Sequence, residues 1–170
     1  MSPAGRAGDI IGLDLGHATA REAEHWLAEL PPVVGLTACT HLVHGGDRPR
    51  VIITVDSPEP LTLPQAGSPA ADEAAIAHER RRSGRAVRYP GHEELTGTVS
   101  VAYLLGRTAI EEVRVLGGGP QPTALTLLET RAFVRPQWLD GHLVLITTRA
   151  AGGRIAPFEV PNPTPCCGGH

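Results

Sequence analysis

From Thr96 onward the hydrophobic period of this chain becomes two. Five runs between Thr96 and Val160 alternate apolar and polar residues or are rich in β-branched ones: TGTVSVAYLL, IEEVRVL, TALTLLETRAFV, HLVLITT and RIAPFEV. The connectors between them, GRT, GGGPQP, RPQWLDG and RAAGG, are short and rich in turn-forming residues. Connections this short join antiparallel neighbours, since a parallel crossover needs a dozen residues or more. The pattern predicts an antiparallel meander over residues 96–160, with a partly closed barrel as its competitor.

The first half adds helices. DIIGLDL reads as a strand, and Thr19-x-x-Glu22 is a capping box, in which hydroxyl and carboxylate satisfy free backbone N–H groups reciprocally. Ala20, Ala23, Trp26, Leu27 and Leu30 then share one face until Pro31-Pro32 stops the helix. VVGLTACTHLVH and RVIITVD flank a glycine-rich turn and read as a β-hairpin, after which prolines 58, 60 and 64 break the chain. Ser68-Pro69 opens a second helix that runs to about Arg82, with Gly84 as its stop. Two helices covering one face of an antiparallel sheet define an α+β fold. At 170 residues the chain suits one domain, over residues 9–160. Residues 1–8 read as a disordered N-terminus and 161–170 as a proline-rich Cys/His tail.

Composition excludes several function classes. There is no lysine, which removes Schiff-base and P-loop chemistry. A net charge of -3 supplies no general attraction to nucleic acid or to an anionic membrane. No apolar run is long enough to span a bilayer, and MSPAGRAGDIIGLDLG is a poor secretory signal, so the expected location is cytoplasmic. There thiols stay reduced, and Cys39, Cys166 and Cys167 read as free thiols or metal ligands rather than as a disulfide framework.

The densest chemistry lies in PNPTPCCGGH, Pro161 to His170. Cys167 and His170 are separated by two glycines, a zinc-knuckle spacing in which glycine lets the chain turn around a metal. A second half-site is offered by ACTHLVH: on a strand Cys39 and His41 share a face, and His44 points the other way. Cys39, His41, Cys167 and His170 make a Cys2His2 set for zinc, with Cys166 as a further donor suited to metal exchange. The pair Cys166-Cys167 resembles the paired C-terminal cysteines of mercuric reductases, which implies thiolate transfer of a soft metal. The resemblance covers those residues alone, and no flavin-binding glycine motif accompanies them. Against this stands a core role for Cys39, a small and commonly buried residue.

Two acid–histidine groupings form an alternative, enzymatic set: His92 with Glu93 in GHEE, and His142 with Asp140 in DGH. An acid beside a histidine can orient it as a general base. Five arginines between Arg80 and Arg88 close the inventory. Placed at a helix C-terminus they favour the dipole and stay solvated, and with aromatic residues at 4% they argue against single-stranded nucleic acid. A protein partner would engage either this segment or the tail.

Overall fold

A computed structural model describes residues 8–161. Residues 1–7 and 162–170 lie outside this range, and with them fall the expected N-terminal disorder and the Cys/His tail beyond Pro161.

The fold is α+β: an open sheet of ten strands, mostly antiparallel, with three helices. Strand β1 (Ile11–His17) leads into α1 (Ala20–Ala28), then β2 (Thr37–Val43) and β3 (Arg50–Asp56) form the hairpin. Helix α2 (Pro69–Glu79) and β4 (Arg85–Arg88) complete the first half. The second half runs β5 (Thr98–Ser100), α3 (Val101–Arg107), β6 (Glu112–Val115), β7 (Leu127–Glu129), β8 (Gln137–Leu139), β9 (His142–Arg149) and β10 (Ile155–Pro157). Neighbours along the sheet follow the order β1-β3-β2-β4-β8-β9-β10-β7-β5. The edges stay apart, so the sheet does not close into a barrel.

Local chemistry accounts for the helices. Thr19 Oγ1 accepts from the Glu22 N–H at 3.2 Å, and Glu22 Oε2 accepts from Ala18 and Thr19 N–H, so the capping box forms as read. Ser68 caps α2 by accepting from the Ala71 N–H at 3.1 Å, with Pro69 at the first helical position. The two helices lie on opposite faces of the sheet rather than on one. Ala23 and Leu27 of α1 pack with Leu13, Ala38, Ile53 and Val55. Ala71 and Ala74 of α2 pack on Ile52, whose side chain alternates with those of Val51 and Ile53.

The second half departs from a pure meander in two ways. Residues 101–107, read as strand to Leu105 and as connector beyond it, form α3, because Ser100 caps the Tyr103 N–H at 3.1 Å and Val101 and Leu104 face the core at helical spacing. Strand β6 joins β9 in parallel, pairing Glu112 with Val144 and Val115 with Thr147, and β10 runs parallel to β7. Strand β9 thus serves three partners and is buried from Leu143 to Leu145.

Candidate functional site

Cys39 and His41 project from β2 toward the α2 side, as their spacing requires. Both are close to Gly84: a Cβ there would lie 3.4 Å from Cys39 Sγ and 3.1 Å from His41 Cε1. Gly84 has φ +136°, and it is the residue that lets the chain pass from α2 into β4 against these side chains.

The residue that the sequence did not disclose is His78, in the last turn of α2 and 2% exposed. Its Nε2 lies 4.0 Å from Cys39 Sγ. Its Nδ1 is 2.8 Å from Thr54 Oγ1, and the same hydroxyl is 2.9 Å from His41 Nε2. Thr54 pairs directly with Cys39 across β3 and β2, so sheet register sets this alignment. His78 sits in AIAHERRR, where it reads as one more polar residue near a helix end. The signal available was its spacing: Ala71, Ala74 and His78 fall at i, i+3 and i+7, the buried stripe of the helix.

One hydroxyl group serves two imidazoles, as donor to one and acceptor from the other. When His78 carries its proton on Nδ1 it donates to Thr54, Thr54 donates to His41 Nε2, and His78 Nε2 is left as a lone pair facing the Cys39 thiol. Burial governs every ionisation here. It pushes the Cys39 thiol up to about 12 and both His41 and His78 down to about 4, with His41 and Arg81 adding to the effect on His78. At neutral pH the cluster is therefore a thiol and two neutral imidazoles. Trp138 and Thr54, polar groups beside the thiol, favour its ionised form, but desolvation outweighs them.

Around the cluster, Trp138 lies 6.2 Å ring to ring from His78, and the Arg81 guanidinium sits 5.0 Å above the indole. His78, Trp138, Arg81, Asp56 and Glu111 line a pocket of about 460 Å³, which Cys39 itself does not line. Among the described residues, no group of three or more His, Cys, Asp or Glu side chains is arranged to hold a metal ion. Cys39 and His78 supply two donors, and His41 Nε2 is engaged by Thr54. Cys166, Cys167 and His170 lie outside the described residues.

The enzymatic set is not brought together. His92 begins a 3-10 turn, His92–Glu94, and with Glu93 lines a cleft beside α1 that does not include His142. His142 opens β9 with Nδ1 at 3.8 Å from Glu111 Oε1. Asp140 and Gly141, at φ +49° and +87°, form the two-residue turn joining β8 to β9, the Asp-Gly turn that right-twisted hairpins favour. The arginine run also divides. Arg85 holds Glu159 at 2.7 Å and Glu24 at 2.6 Å, and Arg88 donates to the carbonyls of Leu27, Leu30 and Pro31 at the end of α1. Arg80, Arg81 and Arg82 alone remain at the surface.

Comparison with known proteins finds no family model, no curated protein and no solved structure that matches this chain. Among the described residues no helix is long and apolar enough to cross a membrane.

Proposed function

We propose that this protein binds a thiophilic metal ion, zinc in the first instance, through Cys39 and His78, with Cys167 and His170 completing the set. One observation carries the reading: Cys39 Sγ and His78 Nε2 face each other at 4.0 Å while Thr54 holds the other nitrogen of the imidazole. Two ligands on one tetrahedral zinc, at 2.3 Å for sulfur and 2.0–2.1 Å for nitrogen, stand ~3.6 Å apart, so a small adjustment seats the ion. A ligating histidine donates its second N–H to an acceptor that fixes ring and tautomer, and Thr54 is that acceptor. His41, placed in the ligand set by its spacing from Cys39, acts in this reading behind Thr54.

The remaining donors belong to the Pro161–His170 segment. Glu159 is tied to Arg85, the neighbour of Gly84, and from there eight residues lead to Cys167, a reach of up to ~27 Å when extended. Arg85 points to the α1 face and Cys39 to the other, so the reading requires the segment to reach the opposite face of the sheet. Cys166 is then the spare thiolate through which a soft metal exchanges. A reducing compartment such as the cytoplasm keeps all these thiols available.

The test is metal content and melting of protein purified under reducing conditions. We expect one zinc per chain, lost with its share of thermal stability on truncation before Cys166, in Cys39→Ser and in His78→Ala. Metal-free protein that melts identically without residues 166–170 contradicts the proposal.

A further inference from the structure

A second site is built where α1 meets the segments around β4 and Val134. The cleft there has a volume of about 940 Å³, in the range of pockets that enclose small organic molecules. Its floor is apolar: Leu30, Val87, Leu95 and Val134, the last three buried. One wall includes Ala132, which with Arg131 forms two consecutive non-glycine residues at φ +50° and +53°. Strained backbone of this kind persists only where the surrounding structure holds it, and binding sites are where it gathers.

The charges on the walls are already engaged. Glu24 receives Arg135 at 2.8 Å and Arg85 at 2.6 Å, Arg88 serves three carbonyls at the end of α1, and Glu22 closes the capping box. Arg21 and Glu93, opposite in sign, sit at the mouth. Each of the inner charged groups thus has its hydrogen bonds within the fold, an arrangement that does not favour an ionic ligand.

Two histidines also line the cleft: His25, exposed and with Nε2 3.8 Å from Glu29 Oε1, and His92, whose ring is held by the backbone. His92 Nδ1 lies 2.8 Å from the Tyr89 carbonyl, which fixes the proton on that nitrogen; the Tyr89 N–H, 3.5 Å away, is too long to compete. His92 Nε2 is then a lone pair, and it has no partner among the described residues. Gly91 makes this placement possible: at φ +84° it packs so closely on the Arg107 carbonyl that no side chain fits, which sets the turn carrying His92.

We propose that this cleft binds an uncharged molecule with an apolar body and one hydrogen-bond donor, received by His92 Nε2. The site is separate from the metal cluster and does not depend on it.

The probes are indole, which has an N–H donor on an apolar body, 1-methylindole, which has the body alone, and benzoate, which has a charge. Binding is read from the ring nitrogen resonances of His92 during titration of the full chain. Indole is expected to move the His92 Nε2 resonance saturably, with 1-methylindole about five- to tenfold weaker for want of one hydrogen bond. Benzoate is expected not to saturate. His92→Phe should weaken indole to the level of 1-methylindole, and the comparison of the two probes on the unaltered protein stands even if that variant fails to fold. Equal affinity for indole and 1-methylindole, benzoate binding as tightly as indole, or no saturable change at His92 would each overturn the proposal.

Discussion

Thr54 is the residue on which the buried polar cluster turns. Its hydroxyl is the shared partner of two imidazoles in a largely buried region, so Thr54→Val leaves two ring nitrogens without that partner. Each unsatisfied buried group costs about 1–3 kcal/mol. The expected outcome is a marked fall in melting temperature and, if His78 binds zinc, a tenfold to hundredfold loss of zinc affinity, measured against a chelating dye. Unchanged affinity with lowered stability would assign Thr54 a purely structural role. Gly12 tests a different kind of contact. A Cβ there would sit on the Ala71 carbonyl, where α2 approaches β1, and backbone cannot yield as a side-chain tip can. Gly12→Ala should destabilise by about 2 kcal/mol or more, visible as a shifted denaturation midpoint.

Among the elements, those with local signals were legible in the sequence and those without were not. The capping box at Thr19, the β2–β3 hairpin and the cap at Ser68 are each written in a few adjacent residues and each formed, although β2 begins at Thr37 rather than Val33 and α2 ends at Glu79 rather than near Arg82. Helix α3 escapes a local reading because VSVAYLL carries β-branched and apolar residues that suit either period, and the Ser100 cap decides it. Strand β4 is hidden inside a charge run, and its arginines belong to packing between elements that no local pattern reveals. The candidate site divides in the same way: Cys39 and His41 follow from strand alternation, whereas His78 depends on how α2 docks across β3. The arginines supply the corresponding prediction. Arg85→Gln strips the partly buried Glu24 and Glu159 of a shared partner and should cost about 3 kcal/mol. Arg80→Gln, at the surface, should change the denaturation midpoint little.

At the scale of the whole molecule, the cluster ties stability to pH. His41 and His78 take up protons below about 6.5 in the unfolded chain but not until about 4 in the native one. Across that window the unfolded state binds more protons, so stability is full above pH 6.5 and falls as pH drops toward 4. Each histidine adds a slope of up to about 1.4 kcal/mol per pH unit. Melting temperatures from about pH 7 to about 4.5 should fall accordingly, and the double variant His41→Gln with His78→Gln should flatten the fall; an equal slope in both would place its origin elsewhere. The proposed metal site rests on one product of the fold: β2, β3 and α2 bring a thiol and an imidazole together in an apolar setting. Cobalt(II) substitution tests that claim most directly, because a sulfur-to-cobalt charge-transfer band reports a thiolate on the metal. The band should form on titration of the full chain, be displaced by zinc, and lose at least half its intensity in Cys39→Ser, where Cys167 is the one proposed thiolate left, while surviving Cys166→Ser. A band unaltered by Cys39→Ser, or no band at all, would contradict the assignment of Cys39 as a ligand.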